Sequence, residues 1–316
     1  MKRFITGVFS CAAMSLMIGL YVPVANAKVV KVTLTAMESD VVIDNRGTKY
    51  PAWTYDGMIP GKLVRATVGD QIDVTLINPK TNKKSHSIDF HAAEVDMLNE
   101  FGSVRPGHNR HFVFKAGRAG VYMYHCASNP LAEHIARGMF GVIIIDPKRF
   151  SKAYPKPDRE YVLVQSQFFP DADNVVDMVE NRGWTHALIN GKPFNFDPIH
   201  DGNSTRALMS KPGERVRIFF VNANINMPVS FHPVAGIWDR VYVNGNPDNV
   251  LKNVQTYGVP VAGASTFDLV SPAGRSTNNA LIDHTMSAEM RGASTLLINV
   301  PGADPGMGKG DKILIR

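Results

Sequence analysis

Hydrophobic and polar residues alternate with a period of two in several parts of this chain. Residues 28–36 and 71–77 carry Val, Ile or Leu at every second position, which is typical of strands with one buried face. Many short strands with turn signals between them predict an all-β protein built as a sandwich or barrel. Residues 130–137 add one short helical turn. Further apolar runs, separated by Gly and Pro, occupy residues 112–114, 121–124, 140–145 and 161–164.

A polar stretch with two prolines, residues 151–158, interrupts the strand pattern near the middle of the 316 residues. Such a composition is typical of a linker between domains. We therefore predict an N-terminal domain over residues 28–150 and a C-terminal domain over residues 151–316.

The second half of the chain repeats the pattern of the first. The matching segments, in chain order, are 69–78 with 213–222, 89–91 with 230–232, 125–126 with 284–285, and 137–138 with 291–292. Four matches in the same order predict two copies of one sandwich. The copies differ in their chemistry, because Thr285 replaces Cys126 and the loop that follows is shorter and lacks a counterpart of His134.

Residues 1–27 have the features of a secretory signal. Lys2 and Arg3 precede a mostly apolar stretch, and Ala25-Asn26-Ala27 matches an A-x-A cleavage site. We expect cleavage after Ala27 and a periplasmic or extracellular mature protein. A membrane anchor is the alternative, because the apolar stretch exceeds the ~7–15 residues of an ordinary signal. Elsewhere no apolar run approaches the ~18 residues that could span a bilayer.

The charge and the cysteine content of the chain limit its possible partners and the possible roles of its thiol. Without Lys2 and Arg3 the chain has 32 basic and 28 acidic residues and no basic run, so nucleic acid is not an expected partner. Of the two cysteines, Cys11 lies in the signal segment and Cys126 remains alone, which excludes an internal disulfide in the mature chain. A lone thiol in an oxidising compartment is either buried or used, and metal ligation would account for it.

Four residues offer the ligands of a blue-copper centre. Cys126, His134 and Met139 follow one another at spacings of eight and five residues, and His86 is the candidate for the second imidazole. A trigonal His₂Cys set with a weak axial Met is the ligand set of an electron-transfer copper.

A second group of histidines should face the opposite way. Adjacent strand residues point to opposite faces, so His125 cannot share a metal with Cys126, and His91 is likewise separated from His86 by an odd spacing. His91 and His125 then form half of a site with nitrogen ligands, and His284 is the candidate third imidazole. A His₃ site with an open position suits catalytic copper or zinc. The peptide link between Cys126 and His125 would give electrons a short path between the metals.

These residues resemble those of the copper-containing nitrite reductases over nearly the whole mature chain, from about residue 28 to about residue 300. The family consists of periplasmic enzymes with two tandem cupredoxin-like Greek-key β-sandwich domains. The motifs that support the resemblance are His-Ser-Ile-Asp-Phe-His-Ala-Ala (86–93), Tyr-His-Cys-Ala (124–127), His134 with Met139, Ser-Phe-His-Pro-Val (230–234) and Asp-His-Thr-Met (283–286).

The resemblance assigns a role to each candidate. The type 1 copper ligands would be His86, Cys126, His134 and Met139. The type 2 copper ligands would be His91, His125 and His284. The catalytic acid pair would be Asp89 and His232. Two coppers per subunit, a homotrimer with type 2 copper at the subunit interfaces, and an outside electron donor such as a cupredoxin or c-type cytochrome are implied as well.

The implied reaction is the one-electron reduction of nitrite to nitric oxide and water, as in denitrification or nitrifier metabolism. Two departures from the family pattern bear on turnover. Val234 stands where an isoleucine commonly caps the substrate copper, and the loop from Cys126 to His134 is one residue shorter than in well-known members.

Two other functions stay open at this point. A two-domain laccase-like multicopper oxidase shares the architecture, but its trinuclear site uses His-x-His pairs and this chain has none. A non-enzymatic copper electron carrier needs only the first ligand set, and would leave Asp89, His91, His232 and His284 without a purpose.

Overall fold

The computed structural model describes residues 27–200 and 206–303, so the predicted signal segment lies outside the described residues apart from Ala27. The described residues form 19 strands and four short helices. None of these helices has the length and apolar character needed to cross a membrane. The strands are β1 (Val29–Val42), β2 (Lys49–Tyr55), β3 (Val64–Thr67), β4 (Gln71–Asn78), β5 (Asp89–Phe90), β6 (His108–Lys115), β7 (Gly120–His125), β8 (Phe140–Asp146), β9 (Arg159–Phe168), β10 (His186–Ile189), β11 (Leu208–Ser210), β12 (Arg215–Asn222), β13 (Val229–Pro233), β14 (Trp238–Val243), β15 (Val250–Val254), β16 (Tyr257–Val259), β17 (Ala264–Val270), β18 (Thr277–Asp283) and β19 (Ser294–Asn299). The helices are α1 (Met97–Glu100), α2 (Leu131–Ala136), α3 (Val175–Val179) and α4 (Met286–Glu289).

Each half of the chain forms two sheets that face one another. The first half has the strand orders β2-β1-β4-β6 and β3-β8-β7-β5, and the second half has β10-β9-β12-β17-β14-β15 and β11-β19-β18-β13-β16. Apolar side chains from the paired sheets fill one core in each half. The prediction of an all-β fold with two sandwiches is confirmed.

The internal repeat is visible strand by strand. β1 pairs in parallel with β4, as β9 does with β12, and β3 pairs in parallel with β8, as β11 does with β19. β4 and β12 both start just after a glycine with positive φ, Gly69 and Gly213, at the turns that the sequence marks. β18 in the second half therefore corresponds to β7, the strand that ends at His125.

The long strand β1 belongs to two pairings. Residues 29–35 pair with β4, whereas residues 36–42 pair with the hairpin strand β2. Its even-numbered residues Val32, Leu34 and Ala36 are buried against the core, in the period-two pattern expected from the sequence. Glu38 continues the same side of the strand, where it lies directly across from Trp53 of β2.

The two halves contact each other through an apolar cluster and one ionic group. Side chains of β7 and β8 pack against those of β9 and β12. In the first half, Arg65 donates from Nε to Asp146 Oδ2 at 2.6 Å. It also donates from Nη1 to Oε2 of Glu160, in the second half, at 2.6 Å. No sheet of the described residues combines strands from both halves, and the connection runs between β8 and β9. We therefore propose that the boundary between the two domains lies in the predicted linker, residues 151–158.

Near the C-terminal end of β7, an aromatic side chain packs closely against the neighbouring strand β8. Tyr124 is fully buried, donates its hydroxyl to the Lys62 carbonyl at 2.6 Å, and lies opposite Gly141 of β8. A Cβ atom on Gly141 would overlap the Tyr124 ring. Glycine is therefore required at this position for the aromatic ring to pack next to His125.

We predict that Gly141→Ala lowers the free energy of unfolding by about 1–3 kcal/mol, because added volume in a packed core forces its neighbours to shift. Urea unfolding followed by tryptophan fluorescence would measure it. Gly117→Ala is the matched control, since a Cβ atom on Gly117 would have as its nearest neighbour a carbonyl oxygen 4.0 Å away. Equal stability of the two variants would contradict the proposed steric constraint.

Candidate metal centres

The thiol of Cys126 lies in a buried group with two imidazoles. Cys126 follows β7, His134 lies in α2, and His86 precedes β5 in an isolated bridge with Val104. The Cys126 Sγ atom is 3.2 Å from His134 Nδ1, and the two Nδ1 atoms of His86 and His134 are 3.3 Å apart. All three residues are almost inaccessible to solvent. The structure thus gathers one sulfur and two nitrogen donors around a single point.

The loop between Cys126 and Met139 folds so that both of its ends meet. α2 begins after Pro130 and is followed closely by Gly138, whose φ of +107° favours glycine. The Met139 N–H then donates to the His134 carbonyl at 3.1 Å, and the Cys126 N–H donates to the Met139 carbonyl at 3.0 Å. Met139 is fully buried beside these residues. The predicted helical turn at residues 130–137 is confirmed.

Burial determines the protonation of this group in the metal-free chain. Burial raises the pKa of the Cys126 thiol, against hydrogen bonds from Ser87 and Ser128 that lower it. Burial and the neighbouring His86 lower the pKa of His134 to about 3, and burial also lowers the pKa of His86. Both imidazoles are therefore neutral at physiological pH and ready to donate a lone pair, while binding of a metal would displace the thiol proton.

The donors fit copper. One thiolate, two neutral imidazoles and a nearby buried thioether are the set expected for a blue-copper centre rather than for magnesium or calcium. The sulfur also receives the Ser87 N–H at 3.2 Å, a contact of the kind that tunes such centres. The Trp53 ring packs edge-on against both imidazoles, with its centroid 4.6 Å from that of His134 and 5.6 Å from that of His86.

A second group of donors lies on the other side of the same strand end. The Nε2 atoms of His91 and His125 are 2.9 Å apart, and an oxygen of Asp89 lies 4.0 Å from His125 Nε2. Asp89 and His125 are direct cross-strand neighbours in the pairing of β5 with β7. His125 Nδ1 is engaged with the Cys126 carbonyl at 2.9 Å, so only Nε2 remains for a metal.

Electrostatics also prepare this second group for a cation. Desolvation and the neighbouring His125 lower the pKa of His91, which keeps its imidazole neutral, while Asp89 acts in the opposite direction. The backbone of Ala262, from the second half, also acts to raise the pKa of His91. Two imidazoles and a carboxylate, with His91 exposed, Asp89 half-buried and His125 buried, fit a type 2 copper that still lacks its third imidazole.

His232 and His284 form a third, separate group on the second half. Their rings lie 5.1 Å apart, and His232 Nδ1 is 2.7 Å from the Gln255 carbonyl oxygen. His284 is exposed at the end of β18, and the N–H of His284 donates to the Ser230 carbonyl at 2.8 Å. Among the residues that the structure describes, neither imidazole joins the group of His91 and His125. Val234, two residues beyond His232, is 39% exposed.

The sequence motifs did not identify every residue of this environment. Ser87 and Ser128 near the thiol, Trp53 beside the imidazoles and Glu38 beside His86 were all outside the predicted set. Glu38 and Trp53 come from strands far from the Cys126 loop in sequence. The one available signal was the strand pattern of β1, in which Glu38 follows the apolar residues Val32, Leu34 and Ala36 on the same side.

The comparisons with known proteins agree with these centres. Residues 36–149 match the multicopper oxidase family. The copper-containing nitrite reductase of Neisseria gonorrhoeae is 32% identical over 279 residues, which cover 87% of this chain and 69% of that protein. The structure of the copper nitrite reductase from Nitrosomonas europaea is 49% identical with a TM-score of 0.87, and covers 92% of this chain and 100% of that one. A nitrite reductase from Thermus scotoductus has 25% identity and a TM-score of 0.76, covering 87% of this chain and 63% of that one.

The fold and the two donor groups define a two-domain copper protein with one thiolate site and one histidine site. The chain belongs to the copper-containing nitrite reductases.

Proposed function

We propose that this protein reduces nitrite to nitric oxide and water, consuming one electron and two protons per nitrite. The observation that supports it most directly is the arrangement of Cys126 and His125, neighbours in sequence that belong to two different donor groups. Copper at the Cys126 group would store an electron, and copper at the histidine group would act as a Lewis acid for an anion. A single peptide unit joins the two groups.

The ligand roles follow the two groups. We assign His86, Cys126, His134 and Met139 to type 1 copper, and His91, His125 and His284 to type 2 copper. The first set is buried, as suits a centre that only exchanges electrons. In the second set His125 is buried, but His91 and His284 are exposed, as suits a centre that must admit a substrate.

Asp89 and His232 are proposed as the proton donors. Asp89 lies beside His125 and keeps an accessible side chain, so it can donate to an oxygen of the bound anion and recover the proton from solvent. His232 is anchored through Nδ1 by the Gln255 carbonyl, which leaves Nε2 to face the substrate side. One group for each of the two protons satisfies the stoichiometry of the reaction.

We infer that the type 2 site is completed between subunits of a homotrimer. Each chain carries one accessible half-site with His91 and His125 and another with His284 and His232. A heterologous contact that closes into a ring would join unlike halves of neighbouring chains. Exposed apolar residues near both halves support such a contact: Met97 and Leu98 are in α1, Met286 is the first residue of α4 and Met290 directly follows it, close after His284.

The protein is proposed to act in the periplasm after removal of residues 1–27, and to receive electrons from a cupredoxin or a c-type cytochrome. Both proposals rest on the signal-like N-terminus and on the family resemblance.

We predict sustained nitric oxide release when the copper-loaded protein is given nitrite and a reduced donor without oxygen. His284→Ala should abolish the release and remove the type 2 copper signal while the thiolate absorption band remains. His111→Ala, which changes a surface histidine paired with Asp73, is the matched control and should retain full activity. Oxygen consumption without nitric oxide release would instead favour the multicopper oxidase function.

We predict that Asp89→Asn keeps both coppers but slows nitrite turnover by ~10²-fold, the scale for losing a general acid. Asp96→Asn is the matched control, because Asn can still cap α1 and the residue is exposed. Steady-state kinetics together with copper analysis would measure both variants. Full activity in Asp89→Asn would refute the assigned role.

A further inference from the structure

Glu38 makes a contact with the type 1 ligand set that none of the motifs indicated. Its Oε1 atom lies 3.0 Å from His86 Nε2, on the side of the ring opposite the Nδ1 atom that faces Cys126 and His134. The His86 side chain is fully buried and the Glu38 side chain is only 14% exposed. The carboxylate is therefore separated from the proposed metal position by one imidazole ring.

The carboxylate is held in place by the backbone. The Lys84 N–H donates to Oε1 at 2.8 Å, and the Lys83 N–H lies 3.0 Å from Oε2 and 3.1 Å from Oε1. Both residues lie in the segment that leads to His86, so this single side chain fixes the loop and the ligand together. Charge-assisted hydrogen bonds of this kind are short and strong.

This contact determines which nitrogen of His86 is free. A carboxylate can only accept, so Nε2 carries the hydrogen and Nδ1 presents a lone pair to the Cys126 group. Partners of this type orient a ligand imidazole and increase its basicity. A nearby negative charge also favours the more positive, oxidised state of the metal.

We propose that Glu38 is a positioning residue that orients His86 and lowers the reduction potential of the type 1 centre. The inference rests on the proposed copper function of the Cys126 group. It extends that function by naming a residue that controls how readily the centre accepts an electron, and therefore which donors can reduce it.

The test is a redox titration of the thiolate absorption band in the copper-loaded protein. In Glu38→Gln, which preserves the side-chain size, we expect the ratio of reduced to oxidised copper at a fixed ambient potential to rise about 10-fold, or 59 mV for one electron. Asp40→Asn is the matched control. It removes a carboxylate from the same strand, but one that lies 3.8 Å from Lys49 rather than beside a ligand. Its ratio should change less than about 2-fold, because exposed charges are well screened.

The Glu38→Asp variant distinguishes the effect of the negative charge from the effect of side-chain packing. It also provides the test if Glu38→Gln folds poorly. It keeps the negative charge on a shorter side chain, so its potential should stay closer to that of the wild type than the potential of Glu38→Gln. An unchanged potential in Glu38→Gln, or equal shifts in the Gln and Asp variants, would overturn the proposal. Absence of the absorption band in the wild-type protein would instead contradict the proposed copper function itself.

Discussion

The alternation of side chains at the end of β7 is the constraint on which both metal centres depend. Because neighbouring residues of a strand point to opposite sides, His125 and Cys126 are directed into different environments. Cys126 enters the buried group with His86 and His134, whereas His125 meets His91 at the accessible edge. A shift of one residue in the β7–β8 register would exchange these two environments and remove both centres. The close packing of Tyr124 against Gly141 helps to hold that register.

The two environments differ in the way that their tasks require. The Cys126 group is dry, and its imidazoles are neutral because burial lowers their pKa values. Such rigidity suits a centre that changes only its charge. The His125 group reaches the surface through the exposed His91 and the half-buried Asp89, so protons and a small anion can reach it. The proposed role of Glu38 would set the reduction potential of the type 1 centre without changing the histidine site.

Much of the fold could be predicted from local patterns, because period-two alternation and glycine turns are read directly from neighbouring residues. The separation of His86 and Cys126 from His91 and His125 followed from the same alternation, whereas His134 was assigned from its spacing to Cys126. The contacts of Glu38 and Trp53 could not be predicted, because they depend on the pairing of β1 with β2 and on its position over the Cys126 loop. The separation of His284 from His91 within one chain likewise depends on how the two halves pack.

The most direct test of a type 2 site shared between chains is complementation between two inactive variants. Three samples would be compared: oligomers of the His91→Ala chain, oligomers of the His284→Ala chain, and oligomers assembled from an equal mixture of both chains. Nitric oxide release would be measured for each. If neighbouring chains complete the site, about a quarter of the interfaces in an equal random mixture unite intact halves, and activity returns in the mixture alone. If mixed oligomers form but stay as inactive as either variant, the site is not shared between chains.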